Sequence, residues 1–371
     1  MATLRTLEDL LLHTPVISEL HPLLPLCLEP GIRLVDDADE YIGELDDLPL
    51  CKDEKVIVTK KHPLLMKRFP FIKIDDPPST EEINKNMHRN LEYARKKLLN
   101  NHTVADFVEE EIRQHPCDIV ILLLVDGLSY EDVRLWDTYI QPCFIDGPSI
   151  TFFEDEAKQI NEKVGFPAIV NNPTLFVRLQ NQGFRAARGF TYWSAETNTT
   201  SDLIFRGIPT NRIEDFNAVI RRLEKQAFPE KTYIQILRQG LDGLAHHRRE
   251  LDRGEIQSVV DAIFNDANQI IGFFKKKSLK VRLYLTADHG ILWKDEHDWQ
   301  VLNIPRCHHR YAERALTQQE KEYTERISCA DFNYALFRYP YLASKISADA
   351  CGVHGGLSYQ ESVVPLVRME A

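Results

Sequence analysis

The sequence predicts an α/β protein with a mostly parallel sheet and helices on both faces, preceded by a small α/β unit. Two observations indicate this fold. Continuous apolar runs bounded by polar turns recur along the chain, as expected for strands buried on both faces of a parallel sheet. Helix-like stretches lie between these runs, and strands that alternate with helices favour parallel β-α-β connections.

The small N-terminal unit is predicted to span residues 1–80. Its first part, residues 4–13, favours a short amphipathic helix. Three strand-like runs follow, at 32–35, 56–58 and 71–74. A turn-rich segment, Asp75-Asp76-Pro77-Pro78-Ser79-Thr80, closes the unit and offers good helix caps.

A helical linker is predicted over residues 81–115, with helices at 81–99 and 103–114. The main domain is then predicted to span 116–371. Its candidate strands lie at 119–125, 186–191, 232–237, 281–286 and 362–367. Its candidate helices lie at 173–182, 212–226 and 256–276. Ligands of such sheets bind outside the carboxyl ends of the strands, so functional residues are expected there.

Composition limits the classes of function. The net charge of −11 disfavours non-specific binding to duplex DNA, which depends on cationic contacts to phosphate. No apolar run approaches the roughly 18 residues that span a bilayer, and the N-terminus lacks the layout of a signal peptide. The seven cysteines are scattered without a Cys-x-x-Cys pair, which favours reduced thiols. We therefore expect a cytoplasmic protein with no membrane contact.

Aspartate and histidine side chains cluster at the ends of the predicted strands. Each motif alone is more typical of a turn, a helix cap or a surface loop than of a metal ligand. Together, three aspartates and three histidines make a suitable ligand set for divalent metals such as Zn²⁺ or Mn²⁺. These residues are Asp126, Asp242, His246, Asp288, His289 and His354.

A candidate nucleophile lies between the first and second of these motifs, in Pro148-Ser149-Ile150-Thr151. A bare hydroxyl is a weak nucleophile at neutral pH, but coordination to a divalent cation lowers its pKa by many units. The alternative interpretation is a loop hydroxyl or a helix cap, a role that suits Thr well.

The order of these motifs resembles the alkaline-phosphatase superfamily, over residues 117–367. Two phrases resemble the PglZ family in particular: Val125-Asp126-Gly127-Leu128-Ser129-Tyr130 and His354-Gly355-Gly356-Leu357-Ser358-Tyr359-Gln360-Glu361-Ser362-Val363-Val364-Pro365-Leu366-Val367. The resemblance implies two divalent cations, Zn²⁺ or Mn²⁺. One would be bound by Asp126, Asp288, His289 and Thr151, and the other by Asp242, His246 and His354. Thr151 would be the catalytic nucleophile.

The resemblance further implies a metal-dependent phosphoester hydrolase. A phosphodiesterase acting on nucleotides or oligonucleotides is favoured, with protein partners in bacterial defence against phage. Arg310 and His309 are candidate substrate-binding residues, because Arg suits phosphate; a solvated loop is the alternative for this segment.

Two acidic residues, Glu154 and Asp155, follow Thr151 and would repel a phosphate unless they point away. Three alternatives therefore stay open. Ser149 could replace Thr151 as nucleophile, or Thr151 could be only a ligand while water attacks. The domain could also be a scaffold or binding subunit of a defence complex with a degenerate site. A sulfatase is disfavoured, because the chain lacks the Cys-x-Pro-x-Arg signature.

Overall fold

The computed structural model forms two compact units, Met1–Leu98 and Leu99–Ala371, each with its own sheets. The residues that the structure describes are 3–47, 55–133, 139–149, 165–170, 174–186, 190–192, 216–225, 228, 231–294, 299–329 and 332–371.

The first unit is built on a four-stranded parallel sheet. Its strands are β1 (Val16–Leu20), β2 (Ile32–Val35), β3 (Lys55–Val58) and β4 (Phe71–Ile74). They are ordered β2-β3-β1-β4. The helices are α1 (Leu4–Leu11), α2 (Ala38–Asp47), α3 (Leu65–Arg68), α4 (Thr80–Asn86) and α5 (Leu91–Lys97), with 3-10 turns at Leu24–Cys27 and Met87–Arg89.

Strand β1 lies inside this sheet and was not predicted from the sequence. Alternate side chains of the strand enter two apolar clusters on opposite faces. Val16 packs in the cluster that contains Leu7, and Ile17 packs in the cluster that contains Tyr41. The strand is therefore buried on both faces, as parallel sheets require.

The predicted helix over 81–99 is divided in two, because α4 and α5 are separated by the 3-10 turn. Asn90 stabilises the break, since its side-chain amide donates hydrogen bonds to the carbonyl oxygens of Leu26 (3.1 Å) and Leu28 (3.0 Å). Both helices belong to the first unit, whereas α6 (Val104–Gln114) belongs to the second.

The second unit is built on an eight-stranded sheet. Its strands are β5 (Leu99–Asn100), β6 (Ile119–Asp126), β7 (Tyr139–Phe144), β8 (Arg185–Ala186), β9 (Phe190–Tyr192), β10 (Thr232–Gln239), β11 (Val281–Ala287) and β19 (Val363–Glu370). The order is β5-β7-β19-β11-β6-β10-β8, with β9 also paired to β10. The paired strands run parallel except where β19 meets β11 and β7.

Small elements follow β11 and precede β19. They are β12 (Leu292–Trp293), β13 (Gln300–Val301), β14 (Tyr311–Ala312), β15 (Thr324–Cys329), β16 (Phe332–Phe337), β17 (Tyr341–Leu342) and β18 (Gly352–Val353), with a 3-10 turn at Glu320–Tyr323. The remaining helices are α7 (Tyr130–Val133), α8 (Gly165–Ile169), α9 (Thr174–Asn181), α10 (Phe216–Lys225), α11 (Asp242–His247), α12 (Arg253–Lys276) and α13 (Tyr359–Ser362).

The core of the second unit forms around β6, whose residues 119–125 are all fully buried. The long helix α12 contributes a row of buried apolar side chains to the same cluster, including Val260, Ile263 and Phe274. The predicted class, an α/β fold with a mostly parallel sheet, is confirmed. Within the described ranges, no helix has the length and apolar character needed to cross a membrane.

Candidate metal centre

Three neighbouring strands carry the aspartates to one edge of the large sheet. Asp126 is the last residue of β6, Asp288 directly follows β11, and Asp242 begins α11 after β10. Because β10, β6 and β11 are adjacent and parallel, their carboxyl ends meet at the same edge. The three carboxylates therefore approach one another although they are far apart in sequence.

His354 reaches the same edge from the opposite direction. It precedes β19, which runs antiparallel to β11, so the start of β19 lies beside the end of the parallel strands. Its Nδ1–H donates a hydrogen bond to the carbonyl oxygen of Ser149 (2.8 Å). This bond leaves Nε2 of His354 as the atom that faces the carboxylates.

One cluster, the open cluster, consists of Asp242, His246 and His354. The Nε2 atoms of His246 and His354 are 3.2 Å apart. They lie 3.1 Å and 3.3 Å, respectively, from Oδ1 of Asp242. His246 and Asp242 sit four residues apart on α11, on the same helical face. The His246 side chain is 39% exposed, so this cluster is open to solvent.

The other cluster consists of Asp126, Asp288 and His289, and it is buried. Nε2 of His289 lies 3.5 Å from Oδ1 of Asp126 and 3.7 Å from Oδ1 of Asp288. None of the three residues is more than 5% exposed. The Nδ1–H of His289 donates to the carbonyl oxygen of Gly290 (3.1 Å), which directs Nε2 toward the carboxylates.

The two clusters are in contact. The rings of His289 and His354 stack with their centroids 4.0 Å apart. Ligand atoms of Asp242, His289 and His354 also lie within 4.8 Å of one another, as do those of the buried cluster. The structure thus gathers all six residues that the sequence analysis selected as metal ligands into one place.

The backbone beneath the aspartates is closely packed. The N–H of Gly127 donates to Oδ1 of Asp288 (3.3 Å), and Leu241 donates to the carbonyl oxygen of Gly127 (2.8 Å). A Cβ on Gly240 would lie 2.3 Å from the carbonyl oxygen of Asp126, so no side chain fits there. This close approach of the β6 and β10 ends fixes the spacing between Asp126 and Asp242.

Electrostatics in the site favour a cation. Burial lowers the pKa of His289 to about 3, with a further contribution from His354, so its imidazole is neutral. Burial also raises the pKa of Asp288 well above its usual value, and the nearby Asp242 adds to this effect. Burial opposes ionisation of Asp242 too, but the neighbouring His246 and His354 outweigh it and hold the pKa of Asp242 well below its usual range.

The donor atoms fit a divalent metal. Among the described residues, Oδ2 of Asp288 and Nε2 of His289 are buried and have no hydrogen-bond partner. Buried polar atoms are normally satisfied, and leaving them without a partner is costly. Carboxylate oxygens beside neutral imidazoles are common ligands of Zn²⁺ and also suit Mn²⁺, so a bound cation would satisfy both atoms.

The proposed nucleophile Thr151 lies outside the described residues, as do Glu154 and Asp155. The structure describes Ser149, which is fully buried. Its carbonyl oxygen holds His354, and its hydroxyl has no hydrogen-bond partner within the described ranges. The segment that precedes Thr151 is therefore attached directly to a candidate metal ligand.

Arg310 does not fill the role suggested from the sequence. Its guanidinium is fully buried and forms two hydrogen bonds with Glu361, from Nε to Oε1 (2.9 Å) and from Nη2 to Oε2 (2.6 Å). A guanidinium that is paired with a carboxylate in the protein interior is not offered to a phosphate, so we do not propose Arg310 as a substrate ligand.

His309 is half-buried, and its Nδ1 contacts Oγ of Ser344 (2.9 Å). Burial lowers the pKa of His309, and so does the electrostatic influence of His246 and His354. The neighbouring His308, which the sequence analysis did not select, stacks on Tyr311 with centroids 4.4 Å apart. Burial and His354 lower its pKa to about 3. The imidazoles of His308 and His309 are therefore neutral, and both are influenced electrostatically by the open cluster.

Comparisons with known proteins are weak. No protein-family model matches the chain, and no curated protein matches it. It is similar in structure to murine ectonucleotide pyrophosphatase/phosphodiesterase 5, with 12% identity, a TM-score of 0.44, and coverage of 67% of this chain and 87% of that chain.

Two further similar structures have lower scores. The C-terminal periplasmic domain of phosphoethanolamine transferase EptC from Campylobacter jejuni gives 12% identity and a TM-score of 0.34, covering 69% of this chain and 80% of that one. A mutant TAB5 alkaline phosphatase with bound Mg gives 11% identity and a TM-score of 0.25, covering 68% and 91%. Similarities at this level carry no argument about activity, so the PglZ resemblance stays a prediction.

Proposed function

We propose that this protein is a metal-dependent phosphoester hydrolase of the alkaline-phosphatase superfamily, closest to the PglZ family. The observation that carries the proposal is the convergence of three aspartates and three histidines, distant in sequence, at the carboxyl edge of a mostly parallel sheet. The order of their motifs supports the choice of superfamily.

Two divalent cations, Zn²⁺ or Mn²⁺, are proposed to bind the six residues. Asp126, Asp288 and His289 would hold one, and the cluster that includes His246 and His354 would hold the other. When bound, the cations supply Lewis acidity, which polarises a phosphoryl oxygen and lowers the pKa of a coordinated hydroxyl.

Thr151 is the proposed nucleophile. Its hydroxyl gives its proton to solvent water and its oxygen attacks phosphorus in line. A Thr–O–P bond forms, the bond from phosphorus to the leaving oxygen breaks, and the leaving oxygen takes up a proton from water and departs as an alcohol. Water then hydrolyses the phospho-threonine and restores the hydroxyl. The connection from the carbonyl oxygen of Ser149 to His354 supports this role, because it ties the segment before Thr151 to a proposed metal ligand.

The proposed substrate is a phosphodiester of a nucleotide or oligonucleotide. The substrate would approach from the side of Asp242 and His246, because this cluster is the exposed one. His309 is the proposed substrate contact on that side. The proposed setting is the cytoplasm, because the scattered cysteines favour reduced thiols. The proposed protein partners in a defence system rest on the motif resemblance alone.

The test combines metal content with turnover. Purified protein is assayed by mass spectrometry for bound metal and with bis-p-nitrophenyl phosphate in the presence of Mn²⁺ or Zn²⁺. We expect turnover that requires metal and is abolished by Thr151→Ala and Asp288→Asn. Asp118→Asn is the matched control, because Asp118 lies at the opposite end of β6 and its Oδ2 accepts a hydrogen bond from the backbone N–H of Lys280 (2.8 Å).

Each alternative has its own outcome. Trapping of a phospho-threonine excludes attack by a water molecule. Retention of activity in Thr151→Ala with loss in Ser149→Ala assigns the nucleophile to Ser149. Full metal occupancy without turnover on a broad panel of phosphoesters supports a scaffold. Absence of bound metal at saturating Mn²⁺ and Zn²⁺ rejects the proposal.

A further inference from the structure

Glu361 has a carboxylate with several hydrogen bonds near the candidate metal centre, although it is not one of the six proposed ligands. Its side chain is fully buried within α13. Besides the two hydrogen bonds from Arg310, it accepts one from the backbone N–H of Gly356 (3.0 Å) and one from Oγ of Ser358 (2.6 Å). Four donors therefore surround a single buried carboxylate.

The backbone of Glu361 makes a further connection. Its carbonyl oxygen accepts a hydrogen bond from the N–H of Gly290 (2.9 Å), the residue that follows His289. Its side chain holds Gly356, two residues after His354. Glu361 thus connects the loop of a buried-cluster histidine with the loop of an open-cluster histidine.

Arg310 extends this connection to a third loop. Its Nη1 also donates to the carbonyl oxygen of Tyr341, and the residue before it is His309. A Cβ added to Gly356 would lie 2.5 Å from Nε of Arg310, so the guanidinium packs directly on that backbone. The absence of a side chain at Gly356 is therefore a requirement of the Arg310–Glu361 pair.

We propose that Glu361 and Arg310 are positioning residues of the metal centre, which fix the loops of His289, His354 and His309 relative to one another. This inference rests on the proposed function. A buried ion pair contributes little net stability compared with apolar residues of the same volume, so stability alone is a weak reason for its presence. Residues that orient metal ligands strongly affect metal affinity, typically by about 10- to 100-fold.

The experiment measures Mn²⁺ affinity of the full chain by isothermal titration calorimetry, together with stability to urea. Glu361→Gln removes the charge and leaves Arg310 buried without its counter-ion. The double variant Arg310→Met/Glu361→Leu removes both charges at similar volume, so it leaves no buried charge unpaired and should unfold at a higher urea concentration than Glu361→Gln. Glu111→Gln is the matched control, because it breaks an ion pair with Arg368 (2.6 Å) that lies away from the site.

We expect Glu361→Gln and the double variant to bind Mn²⁺ about 10- to 100-fold more weakly than wild type, and Glu111→Gln to bind normally. The double variant is decisive, since it should regain stability to urea without regaining affinity. If it recovers both, the pair has only a structural role and the inference is wrong. Wild-type affinity in Glu361→Gln also overturns it. Failure of the wild type itself to bind Mn²⁺ or Zn²⁺ rejects the proposed function instead, and this inference with it.

Discussion

Replacing Gly240 by Ala should damage both the fold and the metal centre. A Cβ at this position would lie 2.3 Å from the carbonyl oxygen of Asp126, 2.4 Å from that of Gly127 and 2.6 Å from Cγ1 of Val125. Real Cβ atoms essentially never approach another atom within 3.0 Å. Because two of these neighbours are backbone atoms in a close-packed core, the ends of β6 and β10 must separate by roughly 0.7 Å or more.

This separation has an energetic and a geometric consequence. Overpacking of a core costs about 1–3 kcal/mol, and loss of the bond from Leu241 to Gly127 costs about 1 kcal/mol more. We therefore expect the free energy of unfolding to fall by about 2–4 kcal/mol. Asp126 and Asp242 also move apart, and misplacement by about 1 Å costs roughly 100-fold in activity.

The assay is urea unfolding followed by tryptophan fluorescence, together with metal-dependent hydrolysis of bis-p-nitrophenyl phosphate. Fluorescence reports the second unit, since all four tryptophans lie within residues 99–371. Gly272→Ala is the control, because nothing lies within 4 Å of its Cβ position inside α12. Alanine there should stabilise the protein by about 0.5–1 kcal/mol.

The reasoning is refuted if Gly240→Ala unfolds at the same urea concentration as Gly272→Ala. Loss of stability with unchanged metal affinity and activity would refute the second part alone. In that case the close packing beneath the aspartates serves the fold but does not set their spacing.

Three further predictions concern single side chains. Burial, with a contribution from Glu131, raises the pKa of Asp132 to about 7. Between about pH 4 and pH 7 the folded protein therefore keeps a proton on Asp132 that the unfolded chain has released. The free energy of unfolding of the wild type should fall over this range relative to that of Asp132→Asn, by up to about 4 kcal/mol. A difference between the two proteins that stays constant with pH in urea titrations would contradict this prediction. Ser18 has a fully buried hydroxyl without a hydrogen-bond partner in the described part of the chain. Ser18→Ala should therefore stabilise the first unit by about 1 kcal/mol, which would be measured as slower amide hydrogen exchange in β1. Faster exchange in β1 would count against this prediction. If His309 contacts substrate, His309→Ala should raise KM several-fold at unchanged Mn²⁺ affinity, whereas an unchanged KM removes His309 from the site.

The main strands could be predicted because a strand that is buried on both faces consists almost entirely of apolar residues. Residues 119–125 form an unbroken apolar run, and all are fully buried in the centre of the sheet. The apolar pattern of strand β1 is weaker, because Ser18 and Glu19 interrupt its apolar residues. Strand β7 contains Gln141 and Pro142 and was also missed. Polar interruptions are tolerated where tertiary contacts, not local pattern, decide the pairing.

The direction of β19 could not be read from the sequence. An apolar run has the same pattern whether the strand is parallel or antiparallel to its neighbours. His354 precedes a predicted strand, whereas the other candidate ligands follow predicted strands, and this order alone gives no reason for them to meet. The antiparallel pairing of β19 with β11 supplies that reason, because it brings the start of one strand to the ends of the others.

Arg310 shows where reasoning from residue type stops being sufficient. A guanidinium suits phosphate and carboxylate equally well, since both offer two oxygens to its parallel N–H groups. Only the fold determines which of them it meets, and here a carboxylate 51 residues away occupies it. Glu361 lies within the motif that begins at His354, but its place in this motif does not reveal that its carboxylate bonds to Arg310. In a long-range pair of this kind, each charged residue is buried only because its partner is buried with it. A charged residue considered alone is therefore expected at the surface, and the sequence does not show that it belongs to the core.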